Sequence, residues 1–419
     1  MKSIVISKPD KSLTGTVNLP ASKSISNRLL MIRALTPAGF TIHNLSQADD
    51  TALLQRHLET ILRGNGKKRV AELDCGNAGT VMRFLTSFLS VRTGKWMLTG
   101  SDRMKQRPIG ILVDALRHLG VTIDYLAKPD YPPILISGGN LQSNRVSLDP
   151  RVSSQFTTAL LLIAPVLPGG LNIHLKGKQV SAPYTDMTVR LMQQFGVKVK
   201  KSGSGIRVSH SSYFPADIAV EADWSAAAFW YEAAVFAHEV DLELTGLNQN
   251  SLQGDAILPE IYRNFGIRTE FTGRGIRLTR FGKNIDGFYY DFTDYPDIAQ
   301  AVMATCTGLG IRGRFEGVQS LQIKETDRLR AMKYEMEKLG IRVTISKTGD
   351  LITALEIEPV KRLFPEDLAF ETYGDHRTAM SLAPLALVSG KLKIINPEVV
   401  AKSYPDFWEH MKNAGFQIR

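Results

Sequence analysis

Cysteine is nearly absent from this sequence: Cys75 and Cys306 are the only two in 419 residues. Neither sits in a spacing that suggests a metal site, and two isolated cysteines make no disulfide framework, so a reducing cytoplasm is the expected compartment. Long apolar runs are also missing. No stretch approaches the about 18 uninterrupted apolar residues that a membrane helix needs, Ala159 to Leu167 included, and Met1-Lys2-Ser3-Ile4-Val5-Ile6 lacks a signal core. There is no Pro- or Ser-rich linker and no low-complexity tract, so composition marks no domain boundary.

The remaining composition, 43% hydrophobic and 22% charged, is that of a globular protein, and its length exceeds what one core usually serves, so two domains are expected. The formal charge of +10 suits nucleic acid, an acidic membrane surface or small anions. Apart from short clusters such as Lys67-Lys68-Arg69, the basic residues are dispersed instead of gathered on one tail. That favours small anionic substrates over nucleic acid, with a basic RNA-binding repeat protein as the remote alternative.

A motif recurs along the chain: a helical pattern, an apolar residue, a glycine, then an alternating strand. It appears at Leu119-Gly120-Val121, Phe195-Gly196-Val197, Phe265-Gly266-Ile267, Leu339-Gly340-Ile341 and Ala414-Gly415-Phe416, with glycines 76, 70, 74 and 75 residues apart. Each glycine reads as the stop just past a helix end. The preceding helices begin near Pro108, Pro183, Asp255, Thr326 and Pro405, and Asp50 opens a sixth, less regular copy. Six units give three per domain. The expected division is residues 19–221 for the N-terminal domain and 1–18 plus 222–419 for the C-terminal domain.

The predicted helix starts carry the chemistry, because helix N-termini offer unpaired N–H groups and partial positive charge to anions. Ser22-Lys23-Ser24-Ile25-Ser26-Asn27-Arg28 opens one helix, Gly76-Asn77-Ala78-Gly79-Thr80 another, and Arg107-Pro108 a third. Ser153-Ser154-Gln155, Asp294-Tyr295-Pro296-Asp297, Lys324-Glu325-Thr326-Asp327-Arg328, Gly374-Asp375-His376-Arg377 and Lys402-Ser403-Tyr404-Pro405 follow. Each alone is equally an ordinary cap or a solvated charge; Asp294 in particular reads either as an acidic cap or as a base. Together they place cations at helix starts in both halves of the chain, which predicts a cleft for two anionic substrates. His376 has no second histidine at ligand spacing, which argues against a metal.

These strings, Asn77-Ala78-Gly79-Thr80 and Lys324-Glu325-Thr326-Asp327-Arg328-Leu329 above all, resemble the EPSP synthase family of enolpyruvyl transferases in an order spanning nearly the whole chain. The resemblance implies a two-domain inside-out α/β barrel with three βαβαββ-like repeats per domain, a monomer, and no metal or organic cofactor. It further implies transfer of the enolpyruvyl group of phosphoenolpyruvate to the 5-hydroxyl of shikimate 3-phosphate. On that resemblance Lys23, Ser24, Arg28, Ser153, Ser154, Gln155, Ser181, Asp294, Ser320 and Lys324 hold shikimate 3-phosphate. Lys23, Asn77, Gly79, Arg107, Gln155, Arg328, Arg377 and Lys402 hold phosphoenolpyruvate, with Tyr184 close by. Asp294 is the expected base and Glu325 the expected proton donor, with Lys23 a contender for either step.

Two positions depart from the family pattern: Ser320 stands where a longer polar side chain is common, and Phe84 follows Arg83 where proline is common. The sister family, UDP-N-acetylglucosamine enolpyruvyl transferase, carries a reactive cysteine five residues before the arginine matching Arg107. Here that residue is Asp102.

Overall fold

A computed structural model describes residues 2–64, 70–139, 141–282, 285–349, 351–360 and 363–419; the Lys67-Lys68-Arg69 cluster lies outside them. The chain divides into two compact units, Met1–Ser22, Gln47–Asp49 and Glu221–Arg419 in one, and Lys23–Ser46 and Asp50–Val220 in the other. Residues 19–22 and 47–49 thus group with the C-terminal unit, whereas the repeat count starts the N-terminal domain at residue 19.

The repeat is one sheet topology used five times. Strands Ala71–Asp74 and Gly94–Thr99 pair in parallel, Ile134–Gly138 adds antiparallel to the second, and Thr122–Tyr125 closes the edge antiparallel. The same order (two parallel, then two antiparallel) is built from Arg145–Leu148, Leu171–Leu175, Gly205–Val208 and Val199–Ser202. It recurs for Gly287–Asp291, Arg312–Glu316, Leu351–Pro359 and Ile341–Thr348. The remaining two copies borrow a strand from the chain start: Ser12–Asn18 pairs in parallel with Glu239–Thr245, and Ser3–Ser7 pairs antiparallel with Lys391–Ile395. The sixth copy is reduced to Ile42–His43 beside Ile218–Ala219, in keeping with its weaker sequence pattern.

Each parallel pair forces a helical crossover. The crossover helices are the apolar ones. Trp224–Phe236, Ala299–Leu309 and His376–Leu382 are buried on nearly every face in one unit, and Lys23–Leu35, Gly79–Ser90 and Ser154–Ile163 form the corresponding set in the other. A helix apolar all round has no face suited to water, so in each unit these helices lie inside and the sheets turn their polar faces outward, the inside-out α/β arrangement. Helix Ser154–Ile163 ends in the 3₁₀ turn Ala164–Val166, and the 3₁₀ turn Ala383–Leu385 separates His376–Leu382 from Ala386–Ser389, because Pro165 and Pro384 cannot continue the α-helical bonding.

The second helix of each repeat ends at the expected glycine. Gly120, Gly196, Gly266, Gly340 and Gly415 have φ of 107°, 81°, 81°, 73° and 87°. At three of them the two bonds of a Schellman stop are present: Gly120 N–H to Arg117 O (2.9 Å) with Val121 N–H to Leu116 O (3.0 Å), and the equivalent pairs at Gly196 and Gly415.

Candidate functional site

Because the two parallel strands of every repeat run in one direction, both following helices start at the same end of their sheet. Those starts carry the residues singled out from the sequence, so within each unit the topology gathers them where strands end and helices begin, the usual ligand end of α/β sheets.

In the N-terminal unit, Lys23 and Arg28 project from helix Lys23–Leu35. Lys23 Nζ lies 3.2 Å from Asp50 Oδ2. Arg28 is buried and donates to Thr188 Oγ1 (2.8 Å), Ser24 O (2.8 Å) and Tyr184 O (3.2 Å). Burial pushes its pKa down to about 10, which leaves it charged at neutral pH. The next helix starts at Gly79, with Ala78 as its extended cap. Two guanidiniums converge on its first turn. Arg83 donates to Gly79 O (3.1 Å) and Pro108 O (2.9 Å), and Arg107 to Asn77 O (3.1 Å). A Cβ at Gly79 would stand 2.5 Å from Arg107 Nη2 and 2.7 Å from Arg83 Nη1, so only glycine leaves room for both cations.

Ser153 Oγ caps helix Ser154–Ile163 by accepting from Gln155 N–H (3.2 Å), and Gln155 Nε2 reaches Thr80 Oγ1 (3.2 Å) across to the Gly79 helix. Ser181 precedes helix Ala182–Gln194 in the left-handed region, φ 55°, and is buried. Phe84 lies buried with its ring 5.9 Å from the Arg28 guanidinium, a cation–π contact that proline could not supply. Lys23, Arg28, Arg83 and Arg107 thus lie at or just inside these helix starts, a set of cations that suits anionic ligands.

The C-terminal half-site is a network centred on Arg328, only 2% exposed at the start of helix Arg328–Glu337. It meets Asp375 Oδ2 at 2.5 Å, Glu325 Oε2 at 2.8 Å and Asp297 Oδ1 at 3.4 Å. Burial disfavours its charge, but the three carboxylates more than offset that and raise its pKa. Asp297 also takes Lys324 Nζ and Arg377 Nη2 at 3.4 Å each, and its carbonyl accepts from Arg377 Nη1 at 2.7 Å. Lys402 Nζ stands 3.9 Å from Glu325 Oε1. Here cations and carboxylates nearly balance, so an incoming anion must compete with Asp297, Glu325 and Asp375.

Lys324, Glu325, Arg328, Arg377 and Lys402 are therefore brought together, with Ser320 buried in the 3₁₀ turn Gln319–Ile323 that leads to them. Asp294, half-buried, joins none of these ion pairs. The organising acids are Asp297 and Asp375, which lie near Asp294 and Arg377 in the sequence but have no assigned role there. Asp255 is a further one: burial, then the charge of Asp297, pushes its pKa up to about 7 against the opposing pull of Arg377 and its hydrogen bond with Ser225. Asp102 is exposed and pairs with Lys105 at 3.3 Å, while Cys75 is buried and its thiol pKa is raised by that burial, so neither offers a reactive thiolate.

Residues 7–411 match the family model described as EPSP synthase (3-phosphoshikimate 1-carboxyvinyltransferase). A 3-phosphoshikimate 1-carboxyvinyltransferase of Bacteroides fragilis is 42% identical over 416 residues, covering 99% of this chain and 98% of the relative. One of Vibrio vulnificus is 36% identical over 432 residues, with 98% of each covered. The fold is that of an Acinetobacter baumannii EPSP synthase structure (TM-score 0.77, 22% identity, both chains fully covered) and of the enolpyruvyl transferase NikO from Streptomyces tendae (TM-score 0.75, 18% identity, covering 100% and 98%). With the repeat, the helix-start cations and these matches in agreement, the chain belongs to the EPSP synthase family, the 3-phosphoshikimate 1-carboxyvinyltransferases.

Proposed function

We propose that this chain performs its family's reaction through the residues described above, transferring the enolpyruvyl group of phosphoenolpyruvate to shikimate 3-phosphate. In the addition step the 5-hydroxyl oxygen bonds to C2 of phosphoenolpyruvate, the hydroxyl proton passes to a base and C3 gains a proton. In the elimination step the C2–O bond to phosphate breaks, C3 loses a proton, and the enol ether and phosphate result. The observation that carries the assignment is the pair of cation-bearing helix-start clusters, one in each unit, which match a substrate pair rich in phosphate and carboxylate.

Lys23, Ser24, Arg28, Ser153, Ser154, Gln155, Ser181, Asp294, Ser320 and Lys324 are assigned to shikimate 3-phosphate. Lys23, Asn77, Gly79, Arg107, Gln155, Arg328, Arg377 and Lys402 are assigned to phosphoenolpyruvate. Asp294 is assigned as the base because it stands outside the ion-pair network and is not held by a cation there. Glu325, between Arg328 and Lys402, is assigned to C3; a substrate anion that draws those cations away would release its carboxylate for proton transfer. Action as a monomer is part of this reading, and two buried unpaired cysteines fit a reducing cytoplasm.

Phosphate release with both substrates tests the assignment. Turnover is expected in the unmodified chain and a loss of about 10²- to 10⁴-fold in Asp294→Ala and in Glu325→Ala, the usual contribution of a positioned acid or base. Undiminished turnover in either variant refutes its role.

A further inference from the structure

The outward faces of the sheets offer an internal comparison. On the sheet containing Glu239–Thr245 two exposed bases are matched by acids: Arg277 pairs with Asp241 at 2.6 Å, and Arg274 with Glu243. On the sheet containing Arg312–Glu316, Arg314 pairs with Glu316 at 2.7 Å and with Glu356, and Arg342 with Glu358 at 3.1 Å. Such pairing is what a solvated sheet face ordinarily shows.

The sheet formed by Arg145–Leu148, Leu171–Leu175, Gly205–Val208 and Val199–Ser202 breaks this pattern. Its register puts Arg145 opposite Asn172, Asn172 opposite Arg207, and Arg207 opposite Lys200, one row across all four strands. The next row brings His174 opposite Ser147 and Gly205, with Ser204 Oγ 3.2 Å from His174 Nδ1. Arg145, Ser147, Asn172, His174, Lys200 and Arg207, with His118, line an open groove of about 540 Å³, and no Asp or Glu is among the lining residues. Neighbouring strands stand about 4.8 Å apart, so the row sets its two arginines roughly 10 Å from each other, with an amide donor between them and Lys200 beyond. A row of unmatched cations that close together repels itself and lowers stability unless an anion sits over it. Arginine forks take phosphate oxygens two at a time, and Asn172 and the imidazoles add donors in the same groove.

We propose that this groove binds a small molecule carrying two or more phosphate groups, at a site separate from the substrate residues assigned above. The linear row suits linked phosphates better than a single one, and the lining has no Phe, Tyr or Trp ring on which nucleic-acid bases would stack.

Isothermal titration calorimetry with sodium tripolyphosphate tests this on the unmodified chain, on the double variant Arg145→Ala with Arg207→Ala, on Lys200→Gln, and on Arg107→Ala as a control for anion capture at the candidate active site. Tripolyphosphate is expected to bind at least tenfold more tightly than orthophosphate. Affinity should fall tenfold or more in the double variant and severalfold in Lys200→Gln, and stay unchanged in Arg107→Ala. The double variant, relieved of that repulsion, should melt no lower than the parent and keep its turnover. Equal affinity in the double variant, loss of binding in Arg107→Ala, orthophosphate binding as tight as tripolyphosphate, or displacement of tripolyphosphate by a lower concentration of single-stranded RNA would each overturn the proposal.

Discussion

Replacing Gly79 by alanine isolates the geometry of the N-terminal half-site. Gly79 lies at the first position of its helix with an ordinary negative φ, so alanine is compatible with the backbone and favours the helix by up to about 1 kcal/mol. The conflict is entirely with side chains: the new methyl would sit 2.5 Å from Arg107 Nη2, 2.8 Å from Arg107 Cζ and 2.7 Å from Arg83 Nη1. Reaching ordinary contact near 3.5 Å moves the Arg107 tip by about 1 Å, enough to lose a well-aligned hydrogen bond. Both guanidiniums are buried and tied to backbone carbonyls, so neither can swing into solvent. Loss of one charge-assisted bond to phosphoenolpyruvate costs about 1.5–3 kcal/mol, or about a 10- to 150-fold rise in its KM. Phosphate release at varied phosphoenolpyruvate and saturating shikimate 3-phosphate reads this out, while urea denaturation should show stability within about 1 kcal/mol of the parent. Combining Gly79→Ala with Arg107→Lys should be clearly less than additive, because the shorter cation no longer meets the methyl. A KM within twofold of the parent in Gly79→Ala would refute the placement of Arg107 on the substrate.

Arg328→Met strands the fully buried Asp375 and the nearby Glu325 without their main counter-ion, and an expected loss of about 3–5 kcal/mol should appear in urea denaturation. Asp255 is an acid whose folded pKa, about 7, lies above its ordinary value of 3.8, so the folded state holds the proton longer than the unfolded state does. Its contribution to stability therefore falls as pH rises from about 4 to 7, by at most about 1.4 kcal/mol per unit, and is level above that; Asp255→Asn should remove this slope in melts taken between pH 4 and 8. Gly196→Ala puts a side chain at φ 81° and a Cβ 2.1 Å from the exposed Phe214 ring, so calorimetry should show a loss of about 1–2 kcal/mol, with Phe214 able to turn aside.

Local rules made much of this protein legible in advance. A helix that must stop and turn back into a strand calls for a left-handed residue, and five glycines at near-constant spacing announced five such stops that the backbone angles bear out. Segments with little charge, such as residues 299–309 with none and 224–236 with Glu232 alone, suit interior helices, and the cations at their neighbours' starts marked where anions would be met. The departure at Phe84 was visible as well, though its partner, Arg28, was not.

Those features depend on residues a few positions apart, which is why the linear order of side chains sufficed for the repeat and the string of helix-start cations; the inside-out α/β class came with the family resemblance that the ordered motifs carry. Long-range pairing decided the rest. Nothing near Ser12–Asn18 indicates that its partner is Glu239–Thr245, and nothing in the segment 294–297 shows that Asp297, rather than Asp294, turns toward Arg328, Lys324 and Arg377. Likewise the row of Arg145, Asn172, Arg207 and Lys200 exists only once four strands distant in the chain fall into register, because charge acts through space and the order of residues does not record distance.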